Sequence, residues 1–412
     1  MRIKKLALEN IGPFVEADMD FVDGENVASQ VVLITGENGT GKSIILDAIR
    51  GMFGRYFAIL ERDIRRRKVE EQAKISLVLE IEQQDTEFVP SGFRKDNIDP
   101  DPSFVRDMPH KAPNEGTAPN WIVDYWPSAL ASGTYQVNAM VAPKHNQFLI
   151  NALQGQGKKE DITQLICHFD YLRDSKDPDE RALGARLYGM LEGIIADSLL
   201  GGGRLSHVAR STYDPIVIQN GMPVPLANLS GGNSYLIQNM VGLLGKMYSV
   251  HFLNQTPLSE LGQTPGLLLI DEAENQLHPK WQKRLIGNIL KVFPNLQIVA
   301  TTHSPFIVAS VPDVQLFVCK ARVDHCVVED ETGAYGNKPV DEILMSPLFE
   351  ATRPFNAEIT ALLERRDVAI KGGDDGERVD VERQLYELNP AYFSYFEIEQ
   401  LLGDLSIGQD AA

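Results

Sequence analysis

The chain has 412 residues, 43% hydrophobic and 23% charged, with a formal net charge of −18 and three cysteines. Such a chain is long enough for two or three domains with a full core, and its acidic excess argues against a broad polyanion-binding surface. Cys167, Cys319 and Cys326 form no C-x-x-C pair, and no apolar run is long enough to span a bilayer, so the expectation is a cytoplasmic, reduced protein with no leader peptide and no membrane partner.

Residues 4–10 alternate and predict a first strand; Ile-Gly-Pro-Phe at 11–14 reads as a turn, and residues 17–21 as a paired second strand. This hairpin offers a place to hold adenine. Residues 31–35 are a β-branched run ending in glycine, and the window that follows fits G-x-x-x-x-G-K-[ST] at every fixed position. Gly36, Glu37, Asn38, Gly39, Thr40, Gly41, Lys42, Ser43 and Ile44 are therefore the candidate cradle for a nucleoside triphosphate. The glycines let successive backbone N–H groups turn inward on a polyphosphate, Lys42 supplies a point charge, and Ser43 offers a hydroxyl to Mg²⁺. The apolar helix predicted over 44–49 adds its N-terminal dipole to the same anion site.

Residues 62–68, Arg-Asp-Ile-Arg-Arg-Arg-Lys, form a dense basic cluster, either a solvated face or loop, or a candidate DNA or RNA contact or phosphate-sensing element. Residues 74–82 alternate as a half-buried strand, and 90–120, rich in Pro, Gly, Asp and Asn, read as a long loop or insertion. Two further strands are expected at 121–126 and 135–141. From 161 to 200 the pattern turns helical, with an amphipathic helix over 181–200 that a glycine run stops. No heptad repeat or internal repeat occurs.

Leu-Ser-Gly-Gly-Asn at 229–233 opens another apolar helix. Ser230, Gly231 and Gly232 make a second anion-ready helix start, although alone the serine would be only an N-cap. Residues 267–270 are a continuous apolar run, as a strand buried on both faces requires, and they deliver Asp271 and Glu272 at the end where open α/β sheets bind ligands. Strand alternation would point the two carboxylates apart, leaving Asp271 to partner Ser43 around Mg²⁺ and Glu272 to polarise an attacking water. A similar buried run over 296–300 ends in Thr301, Thr302, His303 and Ser304, which puts His303 in position to sense a γ-phosphate. Residues 315–322 and 325–329 predict a hairpin. Helices are expected at 357–370, 377–388 and 396–402.

The four motifs together, residues 36–43, 229–233, 267–272 and His303, resemble the Walker A, signature, Walker B and switch-histidine motifs of ABC-type ATPases, in their usual order. Their flanks are similar to the branch containing RecF, the SMC-like repair ATPases and the OLD family. Most of all they resemble the compact ATPase subunits encoded beside nucleases in anti-phage systems, the Septu-type and retron-associated ATPases. The resemblance covers residues 1–319. It implies an α/β fold with a P-loop NTPase head, a mixed sheet, a helical lobe, no long coiled coil and a small C-terminal helical extension. The expected boundaries are 1–84 and 216–335 for the ATPase domain, 85–215 for the insertion and helical lobe, and 336–412 for the extension.

The resemblance further implies ATP and Mg²⁺ as cofactors and a head-to-tail dimer or higher oligomer, with Lys42 and Ser43 of one copy facing Ser230, Gly231 and Gly232 of the other. It also implies hydrolysis through Glu272. The sequence departs from the family in several places. Asn233 replaces the usual glutamine, Asn275 stands in for the absent dimer-communication Asp, and Gln136 and Gln164 are both candidates for the lobe-linking glutamine. The coiled-coil arm and the Toprim nuclease are missing. The leading expectation is a regulatory ATPase controlling a protein effector, a nuclease, in antiviral defence. The alternatives are a DNA repair or recombination ATPase acting on DNA directly, and a nucleotide-bound scaffold with little turnover. A transporter subunit suits the flanking residues least.

Overall fold

The computed structural model describes residues 1–53, 72–90, 92–93, 98–99, 120–129, 133–155, 158–199, 201–349 and 355–395. The basic cluster at 62–68, most of the 90–120 stretch and the helix expected at 396–402 lie outside them. The chain divides into two compact units, Met1–Ile343 and Leu344–Ala412.

In chain order the strands are β1 (Arg2–Ile11), β2 (Phe14–Asp20), β3 (Val31–Gly36), β4 (Lys74–Ile81) and β5 (Gln84–Phe88), then the short pair β6 (Gly92–Phe93) and β7 (Ile98–Asp99). They continue as β8 (Ile122–Trp126), β9 (Arg204–Ala209), β10 (Asp214–Gln219), β11 (Met222–Pro225) and β12 (Gly266–Ile270). The last are β13 (Leu296–Thr301), β14 (Gln315–Ala321) and β15 (Cys326–Asp330). Ten of them form one mixed sheet in the order β5-β4-β1-β2-β15-β14-β3-β13-β12-β8. The five from β14 to β8 run parallel. On the other side, β1, β2, β4 and β5 pair antiparallel, and the expected hairpin β14–β15 joins the two halves.

Sequence pattern explains the division. β3, β12 and β13 are buried at every position, as continuous apolar runs must be when both faces are covered. The alternating strands β2 and β4 bury one face only. The fully buried Gln297 of β13 ties the halves together: its Oε1 accepts from Ile3 N (2.6 Å) and its Nε2 donates to Ile3 O and Ser29 O, both at 2.9 Å.

Helix α1 (Lys42–Phe53) follows β3 directly and buries Ile45, Leu46, Ile49, Met52 and Phe53. The helical lobe comprises α2 (His145–Gln154), α3 (Lys159–Arg173), α4 (Pro178–Asp197) and α5 (Gly231–Asn254). Asp177 separates α3 from α4 by capping the N–H groups of Asp179 and Glu180. Between α4 and α5 lies a three-stranded antiparallel sheet, β9-β10-β11, that the sequence pattern does not predict. Pro215, Pro223, Pro225 and Gly221 interrupt its alternation; two of the prolines sit on the edge strand, where no ladder N–H is needed.

The strand expected at 135–141 is absent. Its backbone is held by side chains of α3 instead: Thr163 Oγ1 donates to Tyr135 O (2.7 Å), Gln164 Nε2 donates to Ala139 O (2.6 Å), and Gln164 Oε1 accepts from Val141 N (2.9 Å). Bonded to α3 in this way, these three backbone groups are not offered to a ladder. Helix α6 (Leu285–Val292) connects β12 to β13. The second unit carries the expected helical pair, α7 (Ala357–Gly372) and α8 (Asp375–Leu388), broken at Gly373 with φ +72 and packed around Leu362, Val381, Leu385 and Phe393.

Candidate nucleotide site

The parallel register brings the C-terminal ends of β3, β12 and β13 side by side, and the polar residues that close each run meet there. Gly36 pairs with Cys319 of β14, and a Cβ at Gly36 would lie 2.2 Å from the Cys319 carbonyl oxygen, so only glycine fits. At the far end of the loop, Gly41 has φ +97 and is packed against Pro13 and Phe14, the turn between β1 and β2. Glu37, Asn38 and Gly39 are exposed at the tip, where Thr40 Oγ1 closes the turn by donating to Glu37 O at 2.8 Å. Lys42 is buried and its ammonium folds back to donate to Gly36 O (2.9 Å) and Glu37 O (2.8 Å). Burial lowers the Lys42 pKa, and Glu274, Asp271 and Glu272 pull it the other way. Ile44, at the start of α1, packs beside Gly12 of the same turn.

Ser43 Oγ donates to Asp271 Oδ1 at 2.8 Å, across 228 positions of sequence. The same carboxylate oxygen accepts from Thr301 Oγ1 at 2.8 Å, and that hydroxyl in turn accepts from Glu272 N at 2.8 Å. One threonine at the end of β13 thus fixes both members of the acidic pair. β12 ends at Ile270, so strand alternation does not separate the two carboxylates; Glu272 is turned by a left-handed backbone, φ +51. That conformation is strained for a residue with a Cβ, and such strain concentrates at functional sites.

His303 lies one residue beyond Thr302. Its pKa is lowered by burial first and by the Lys42 charge second, which keeps the imidazole neutral at pH 7. Its backbone N–H donates to Glu274 Oε1 (2.8 Å), and Thr302 Oγ1 donates to Glu274 Oε2 (2.6 Å). Glu274, Thr301 and Thr302 are the polar groups that sequence reasoning did not single out. Two threonines ending a buried strand were the available signal.

Ser230 is the N-cap residue of α5, but its side chain makes no capping hydrogen bond. A Cβ at Gly232 would meet Gln276 O at 2.7 Å and then Leu277, neither of them in the phosphate loop. The next turn of α5 is anchored by the buried contact between Ser234 Oγ and Tyr135 OH, 2.5 Å. Asn275 is committed within its own chain, donating from Nδ2 to Ser128 O at 2.7 Å. The two glutamine candidates differ: Gln164 spends both ends of its amide on 139–141, whereas Gln136 is exposed. Among the described residues no helix is long and apolar enough to cross a membrane.

Two family models match. Residues 159–309 match one described as "AAA domain, putative AbiEii toxin, Type IV TA system", and residues 5–181 match one described as "AAA domain". A retron Vc95 probable ATPase from Vibrio cholerae is 27% identical over 39% of this chain and 31% of its own length. A Septu protein PtuA from Bacillus thuringiensis is 27% identical over 74% of this chain and 72% of its own length. The SMC head domain from Thermotoga maritima matches 80% of this chain and 99% of its own with a TM-score of 0.43 and 17% identity. The match to the Vibrio relative therefore spans about a third of that protein, 31%.

Proposed function

We propose that this chain, an ATPase of the ABC type with relatives among the Septu and retron ATPases, binds ATP with Mg²⁺, closes as a dimer around it, and hydrolyses it to control a partner effector. The observation that carries the reading is the 2.8 Å contact between Ser43 and Asp271, a hydroxyl from the first turn of α1 and a carboxylate from the end of β12.

The residues fit a magnesium nucleotide. Ser43 and Asp271 present oxygen donors alone, as a hard cation that keeps water and phosphate oxygens in its shell requires. The Lys42 ammonium bonds carbonyls of its own loop, and phosphate oxygens can take over those bonds. Magnesium, when bound, neutralises charge on the transferred phosphoryl group. Glu272 accepts a proton from water as the water oxygen bonds the γ-phosphorus and the bond to the ADP oxygen breaks. Neutral His303 donates a hydrogen bond to the γ-phosphate oxygens. Thr301 holds Asp271 and the Glu272 backbone in register throughout.

Ser230, free of a capping role, and the open helix start at Gly231 are the groups a second copy would present to the γ-phosphate. Binding would then assemble the complex and hydrolysis release it. The relatives named for Septu and retron systems support a place in antiviral defence; in this reading the effector is a nuclease and the compartment the cytoplasm. The test is phosphate release with the Glu272→Gln variant. It should fall by about 10³-fold while the variant elutes as an ATP-dependent dimer; turnover at the wild-type rate removes Glu272 from the chemistry.

A further inference from the structure

Glu274 lies outside the four motifs, yet its carboxylate joins the turn after β12 to the loop carrying His303, engaging both a side chain and the backbone of that loop. One oxygen accepts from Thr302 Oγ1 at 2.6 Å, the other from His303 N at 2.8 Å. Thr302 Oγ1 also accepts from Ser304 N at 3.0 Å, so the hydroxyl cannot reorient without loosening the loop. The other end of the same turn bears on the signature helix. Gln276, in a left-handed conformation with φ +62, presents the carbonyl against which Gly232 rests.

From this we infer that Glu274 is a positioning residue. It sets the position of the loop that carries His303 and passes that position, through the turn to Gln276, to the start of α5. This inference rests on the ATPase reading above and deepens it. A carboxylate suits the task because it offers two acceptors to two donors fixed on adjacent residues. An interaction that orients a group acting on the reaction, without touching the reacting atoms, changes turnover more than binding.

The experiment measures steady-state ATPase activity and, separately, the Kd for a fluorescent ATP analogue in wild type, Glu274→Ala, Glu274→Gln, Thr302→Val and Glu274→Gln/Thr302→Val. Glu274→Ala should lower kcat by roughly 10- to 100-fold, the range seen when supporting partners of an active group are removed, with Kd within about threefold. Glutamine can accept from His303 N and donate to Thr302 Oγ1, so Glu274→Gln should recover part of kcat. The double variant should lose less than the product of the two single losses. Unchanged kcat in Glu274→Ala, or a Kd that rises in step with any loss of kcat, overturns the inference. Should Glu274→Ala fail to fold, Thr302→Val and Glu274→Gln decide it by the same criteria. Failure of the ATPase reading is seen separately, as a wild-type protein whose phosphate release Glu272→Gln does not change.

Discussion

The two halves of the large sheet share one apolar core but treat their side chains differently. From β14 to β8 almost every residue is buried, whereas β2, β4 and β5 turn a polar face outward. A strand covered on both faces has no side left for chemistry, so its polar residues collect where it ends. Asp271, Glu272 and His303 sit just beyond such ends, and Ser43 opens the helix that follows the loop after β3. The antiparallel half contributes none of these groups; it supplies the turn at Pro13 and Phe14 that packs the phosphate loop. Residues at the ends of the parallel strands should therefore govern turnover, and residues joining the halves should govern stability.

The largest effect should separate the two. Lys42→Ala should cost about 10³-fold in kcat/KM, since a charged donor to the phosphates is lost. The melting temperature of the nucleotide-free variant should stay level or rise, because a buried ammonium with a lowered pKa disfavours the fold. A melting temperature several degrees lower would mean that the loop lysine is structural.

Gln297→Leu should do the reverse. It strands Ile3 N, Ile3 O and Ser29 O, which should cost about 3 kcal/mol in denaturant unfolding. Specific activity per folded molecule should change little. Unaltered stability would show that the halves are joined some other way.

The smallest effect concerns the β14–β15 hairpin at the seam. Lys320 bonds Glu329 and Glu331 at 2.5 Å; the Lys320 hydrogen bond lowers the Glu329 pKa, and the two glutamates raise that of Lys320. A lowered carboxylate pKa gives stability that is present above its ordinary value and lost as pH falls through the folded one. A raised lysine pKa gives stability that is present below its ordinary value and lost as pH rises through the folded one. Between these limits the contribution should be flat. Lys320 and Glu329 are more than a third exposed, so screening should hold it to a few tenths of a kcal/mol. Lys320→Met should remove the acid-side slope in a pH series of unfolding midpoints; an unchanged slope would assign it to other carboxylates.

The sequence marked the phosphate loop, the buried runs that became β3, β12 and β13, the helix α1 and the hairpin β14–β15, because burial on both faces and glycine-dependent turns leave local patterns. It misread residues 135–141, where apolar residues imitate a strand but Gln164 and Thr163 take the backbone groups. It also missed β9 to β11, whose prolines and glycine break the alternation. Both errors arise where a distant side chain or an edge position, not local periodicity, satisfies the backbone.

What the sequence determined by itself was which residue types stand at the ends of which strands: periodicity and spacing are properties of neighbours along the chain. The tertiary structure alone decided that Ser43 meets Asp271, that Thr301 holds the acidic pair, that a left-handed backbone turns Glu272, and that Glu274 reaches the His303 loop. Those contacts depend on the register between parallel strands, which is set by packing over the whole core and leaves no local trace.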